Sequence, residues 1–124
     1  MKSRGIILIV EDEALIAMDL KKKLGDAGYS VCRLIATGED AVLWAERDRP
    51  DLILMDNRLS GKIDGIEAAL RIRAQSEVRI IIMSGYPQDE EFQARVKPFN
   101  PVACLAKPLA FEELLTILKS IFGD

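Results

Sequence analysis

The sequence contains no histidine, and its two cysteines, Cys32 and Cys104, stand far apart. Lack of histidine removes His-based acid–base catalysis, and with so few thiols the usual kinds of zinc ligation go too. Both thiols are expected to be reduced, either in the core or at the surface. No apolar run approaches the roughly 18 residues of a membrane helix. The start Met1-Lys2-Ser3-Arg4-Gly5 leads into only a short apolar stretch, which does not resemble a signal peptide. A cytoplasmic protein without a membrane partner is therefore expected. Basic blocks interleaved with aromatics are also missing, and the net charge is −3 with a pI near 5.1, so nucleic acid is not an expected partner. Lys21 to Lys23, the one basic cluster, reads as a solvated helix face. Internal repeats, low-complexity stretches and linkers are absent as well.

What the chain does have is 124 residues, 49% of them hydrophobic and 30% charged, which makes one globular domain over 1–124 with a core of its own. The rest is organised around the stretch from Asp51 to Gly61. Leu52 to Met55 are too few for a helix and follow Pro50, so they read as a strand buried on both faces, as in a parallel sheet. Asp56 stands directly at its carboxyl end. A carboxylate there is either a turn or helix cap, or the reactive group of a crevice beyond the strand ends.

The remaining pattern alternates. Gly5 to Val10 reads as a strand, followed by a helix with Ile16, Ala17, Leu20, Leu24 and Ala27 inward and Gly28 as its stop. Ser30 to Ile35 is a second strand. Thr37 with Asp40 has capping-box spacing and opens a helix that buries Ala41, Val42 and Ala45 and ends before Pro50. After the central strand, Asp64 with Glu67 caps a third helix carrying Ile66, Leu70 and Ile72 and ending near Gln75. Val78 to Met83 is strand-like, closed by Ser84-Gly85-Tyr86-Pro87. Gln88 to Lys97 has a thin helical face through Phe92 and Val96, curtailed by Pro98 and Pro101. Val102 to Ala106 is the last strand, and Phe111, Leu114, Leu118 and Ile121 mark the last helix. Five strands alternating with five helices require crossovers, hence a mainly parallel α/β sheet with helices on both faces.

The carboxyl ends of these strands present Glu11 and Asp12, Asp56, Ser84 and Lys107. Each has an ordinary structural reading: acids at a helix N-terminus, a turn serine, a solvated lysine before a proline. Together they bring three carboxylates, a hydroxyl and an ammonium to one crevice. Carboxylates that close raise one another's pKa unless a cation sits among them. An all-oxygen donor set selects Mg²⁺ or Mn²⁺, and a site with few protein ligands suits Mg²⁺ in particular.

The segments Ile-Leu-Ile-Val-Glu-Asp-Glu, Asp-Leu-Ile-Leu-Met-Asp, Asp-Gly-Ile-Glu and Leu-Ala-Lys-Pro, in this order and spacing, resemble the receiver domain of two-component response regulators. The match covers nearly the whole chain. The resemblance implies a flavodoxin-like, CheY-like doubly wound sheet of order 2-1-3-4-5. It implies that Asp56 accepts a phosphoryl group from a histidine kinase or phosphotransfer protein, and that the domain catalyses only its own phosphorylation and dephosphorylation. By the same resemblance Asp12 ligates Mg²⁺ directly, Glu11 acts through water, and the Arg58 backbone carbonyl joins Asp56 in the shell. Ser84 matches the hydroxyl that contacts the phosphoryl group and Lys107 the lysine that pairs with it, with a cis bond to Pro108. The output surface implied is that of the fourth helix, last strand and last helix. No output domain is expected within the chain, so signalling would pass to a downstream protein, from a monomer or a weak phosphorylation-dependent dimer.

Three features depart from the family pattern. The switch aromatic of the last strand is replaced by Cys104, too small to swing between buried and exposed states with a useful energy difference. Tyr86 either takes over that role, as in stand-alone receivers found with HWE-type histidine kinases, or merely covers the sheet edge. The loop Ser60-Gly61-Lys62-Ile63-Asp64-Gly65 is one residue longer than the common form and lacks its proline. Arg58 either shields the phosphoryl group or pairs with Glu11 or solvent, and Ala110 leaves the last helix without a side-chain cap. Competing readings are an aspartate-nucleophile phosphatase, weakened because Arg58 stands where its second Asp is required, and a phosphate sink or degenerate receiver acting as an interaction module.

Overall fold

The structure is a computed structural model describing residues 4–123. Its elements run β1 (Ile6–Val10), α1 (Ala14–Asp26), β2 (Ser30–Ile35), α2 (Gly38–Asp48), β3 (Leu52–Asp56), α3 (Gly65–Arg73), β4 (Arg79–Ser84), α4 (Glu90–Val96), a 3-10 turn (Lys97–Phe99), β5 (Ala103–Ala106) and α5 (Phe111–Phe122). The strands form one parallel sheet of order β2-β1-β3-β4-β5, as expected. Because side chains alternate along a strand, each interior strand feeds two cores. Leu8, Val10, Ile53, Met55, Ile80 and Ile82 pack with α2, α3 and α4 on one face. Ile7, Ile9, Leu52, Leu54, Ile81 and Met83 pack with α1 and α5 on the other. A strand apolar at every position is what burial on both faces demands.

The caps fall where the spacing places them. Thr37 Oγ1 accepts from the Asp40 amide at 3.2 Å, and Asp64 Oδ1 from the Glu67 amide at 2.8 Å. Asp89 does the same for Phe92 at 3.0 Å, while Ala110 gives α5 no side-chain cap. Lys21 to Lys23 are exposed, and Lys22 and Lys23 pair along the helix with Asp26 and Asp19. Cys32 on β2 and Cys104 on β5 sit on opposite edge strands as free thiols.

Three local expectations need correction. Ile16 is 40% exposed, because Ala17, Leu20 and Leu24 alone form the buried stripe and Ile16 lies one position off its edge. Val102 is 42% exposed and precedes β5; only its amide joins the sheet, donating to the Ile80 carbonyl at 2.8 Å. The segment after Phe92 does not stop at Pro98. The proline fits a 3-10 turn that drives Phe99 to 0% exposure, so α4 is anchored more deeply than Phe92 and Val96 alone would allow. α3 ends at Arg73, just short of Gln75.

Candidate phosphorylation and metal site

The parallel ladder delivers the ends of β1, β3, β4 and β5 to one rim. Asp56, the last residue of β3, is 1% exposed, and the ladder continues past it as the Asn57 amide donates to the Met83 carbonyl at 2.9 Å. The Arg58 amide donates to Asp56 Oδ1 at 3.1 Å, turning the chain away and leaving the carboxylate aimed into the crevice. Gly65 closes the loop against it: a Cβ there would lie 1.9 Å from the Asp56 carbonyl oxygen, so no side chain fits.

Lys107 Nζ donates to Asp56 Oδ2 at 3.0 Å and stands 3.8 Å from Glu11 Oε1. Its amide donates to the Ser84 carbonyl at 2.9 Å, which keeps the ends of β4 and β5 level, and the Lys107–Pro108 peptide is cis. Burial disfavours the ammonium, but the hydrogen bond to Asp56 and the charges of Asp56, Glu11 and Glu13 outweigh it and raise its pKa. Glu11 is 3% exposed, and its carboxyl is pushed up to about 7 by burial, reinforced by the adjacent Asp56.

Ligand oxygens of Glu11, Asp12 and Asp56 all lie within 4.8 Å of one another, with Asp12 on the exposed side. Buried carboxylates this close are held apart in charge by one ammonium only, so the donor set fits a small hard divalent cation and offers no nitrogen or sulfur to a softer one. The residues singled out from the strand ends are thus brought together, Ser84 included, at 4% exposure.

The crevice opens into a cavity of about 520 Å³ lined by Asp56, Arg58, Ser84, Tyr86, Arg95 and Lys107, among others. Arg58 is exposed on this wall; the cation beside Glu11 is Lys107. Tyr86, 75% exposed, is too open to cover the sheet edge, and its amide donates to Ser84 Oγ at 3.1 Å. Cys104 is half-buried against the α2–α4 core, and burial raises its thiol pKa. Arg95 was not singled out from the sequence; it reaches from α4 to Asp64 Oδ2 at 2.9 Å. Ser60, whose hydroxyl donates to Asp12 Oδ2 at 3.1 Å, was also missed as a site contact. Neither has a local signal, since both contacts join residues remote in sequence.

Residues 7–119 match the family profile described as response regulator receiver domain. The transcriptional regulatory protein PdtaR of Mycobacterium tuberculosis is 34% identical over 113 residues, 91% of this chain but only 54% of that relative's length. The signal receiver domain of a modulated diguanylate cyclase from Desulfovibrio desulfuricans G20 superposes with a TM-score of 0.84 at 38% identity, covering 96% of this chain and 93% of that one. The receiver domain of a sensor histidine kinase of Pseudomonas aeruginosa PAO1, whose structure has a magnesium ion coordinated in the active site cleft, gives 0.83 at 36% identity, covering 97% and 98%. With its sheet order, its acid cluster and a match spanning almost all its length, the chain belongs to the response regulator receiver domain family.

Proposed function

We propose that the domain is a phospho-accepting signalling switch in which Asp56 takes a phosphoryl group from a kinase phosphohistidine. The observation that carries this reading is a nearly fully buried Asp56 carboxylate with an ammonium at 3.0 Å and two further acids beside it, facing an open cavity. An Asp56 oxygen attacks phosphorus as the phosphorus–nitrogen bond breaks, and the departing imidazole recovers a proton from solvent. Because the attacking group and the transferred group are both anionic, most of the protein's task is charge neutralisation and in-line placement. Lys107 neutralises charge from the β5 side, and the Ser84 hydroxyl is placed to donate to a phosphoryl oxygen. Mg²⁺, when held by Asp12, Asp56, the Arg58 carbonyl and, through water, Glu11, supplies the remaining positive charge.

The phosphoryl group adds a dianion and new acceptor oxygens where one carboxylate stood. Ser84 and Tyr86, joined by a hydrogen bond, and the seven-residue α4 behind them are the elements that answer it, so the changed surface is that of α4, β5 and α5. A protein donor also needs a seat beside the crevice. A second cavity of about 300 Å³ between α1 and the β5–α5 connection supports one: it is lined by Leu15, Ile16 and Phe111 and reaches Glu11 and Lys107. Leu15 is 83% exposed there. Output to a downstream protein belongs to the same proposal.

Acetyl phosphate with and without Mg²⁺, followed by intact mass of wild type and Asp56→Asn, tests it. One added phosphoryl group on wild type, dependent on Mg²⁺ and lost in Asp56→Asn, is the expected result. An unmodified wild type would leave only an interaction module, and steady release of phosphate from phosphomonoesters would point to a phosphatase.

A further inference from the structure

The β3–α3 connection is fixed at both ends but has no packing of its own in between. At one end Asp56 Oδ1 accepts from the Arg58 amide; at the other the Gly65 amide donates to the Asn57 carbonyl at 3.0 Å and Asp64 caps α3. The intervening residues are the ones that make this loop longer than the family's common form, and they are held from outside, by the start of α2. Glu39 Oε1 accepts from the amides of both Lys62 and Ile63 at 2.8 Å. Thr37 and Ser60 form an isolated parallel bridge. Gly61, at φ +101, lets the loop lie against that carboxylate: a Cβ there would be 2.5 Å from Glu39 Oε2. The turn so held presents the Ser60 hydroxyl to Asp12 Oδ2 at 3.1 Å.

We propose that Glu39 and Ser60 are positioning residues for the cation: α2, which contributes no ligand, fastens the loop through Glu39, and the loop orients Asp12 through Ser60. The inference rests on the reading of Asp12 as a metal ligand. Asp12 is exposed, unlike Glu11 and Asp56, so nothing in the core fixes its carboxylate. A hydroxyl donating to one of its oxygens leaves the other free for the ion and removes rotamers that point elsewhere. The same clamp holds the segment that carries the Arg58 carbonyl. Partners of this kind, hydrogen-bonded to a ligating carboxylate, typically change metal affinity about 10–100-fold when removed.

The experiment is calorimetric titration of Mg²⁺ into the whole chain, paired with the thermal midpoint of each metal-free protein. Ser60→Ala is expected to weaken Mg²⁺ binding by about tenfold with little change in the metal-free midpoint, and Ser60→Thr to restore it. Glu39→Ala is expected to weaken binding at least as much, whereas Glu39→Gln, which keeps an acceptor oxygen for the two amides, stays close to wild type. Wild-type affinity in both alanine variants overturns the inference, as does a Glu39→Ala protein that loses thermal stability while keeping its affinity. Should Glu39→Ala not fold, the Ser60 pair decides alone. A wild type that takes up no Mg²⁺ overturns the metal-site reading itself, a result seen before any variant is compared.

Discussion

Above its ordinary pKa of 4.5, the Glu11 carboxyl keeps its proton in the folded chain until about pH 7. Burial is the main cause and the adjacent Asp56 the next, with Lys107 pulling the other way. In the unfolded chain that proton leaves near pH 4.5, so across the interval the native state binds more protons and stability must fall as pH rises. The slope is about −1.4 kcal/mol per pH unit, accumulating to roughly 3 kcal/mol by pH 7 and levelling off above it. For a domain of this size that is a drop in Tm of roughly 10 °C. The background is favourable, because the chain has no histidine, the side chain whose ordinary pKa falls in this window. Thermal melts in EDTA between pH 5 and 8 read the effect, with Trp44 fluorescence or circular dichroism as the signal. Mg²⁺ binds the deprotonated native site, and at a hundredfold excess over its Kd returns about 2.7 kcal/mol, most of what was lost. Glu11→Gln cannot titrate, so its metal-free Tm stays level across the window and exceeds that of wild type at pH 8. A wild-type Tm that holds steady or rises from pH 5 to 7, or a Glu11→Gln variant with the wild-type slope, refutes the electrostatic reasoning.

Gly65→Ala sets a methyl group against the Asp56 carbonyl and is expected to cost about 3 kcal/mol or more in urea unfolding, beyond the usual range for overpacking. Phe99→Ala empties the largest fully buried side chain and should lower stability by about 3–5 kcal/mol in the same assay, which would show that the 3-10 turn anchors α4. Asp64→Ala removes both the cap of α3 and the bond to Arg95, for a loss of about 1–2 kcal/mol, whereas Arg95→Ala, breaking only the half-exposed ion pair, should lose under about 1 kcal/mol.

Most of this site was legible in the chain because a parallel sheet turns strand ends into a location. Apolar runs fix the strands, alternation fixes their direction, and the polar residue after each run is then carried to one rim without any long-range information. That logic places Glu11, Asp12, Asp56, Ser84 and Lys107, and the cap spacing places Thr37 and Asp64. It fails where contacts form across the fold. The clasp of Glu39 on the Lys62 and Ile63 amides, the reach of Ser60 to Asp12 and of Arg95 to Asp64 join segments whose local patterns are unremarked polar loop or solvated helix. Phe99 was hidden by its neighbour, since Pro98 reads as a helix stop although its fixed φ suits the 3-10 turn that buries the ring. Ile16 and Val102 show the opposite limit: apolar identity marks a candidate for burial, while the geometry of the neighbouring stripe or strand decides it.

Borohydride reduces an aspartyl phosphate to homoserine, so peptide mapping of the protein after acetyl phosphate and Mg²⁺ reads the acceptor atom's residue directly. The account predicts homoserine at position 56 and nowhere else, and none when EDTA replaces Mg²⁺. Homoserine at another acid, or the same yield at position 56 without the metal, contradicts it.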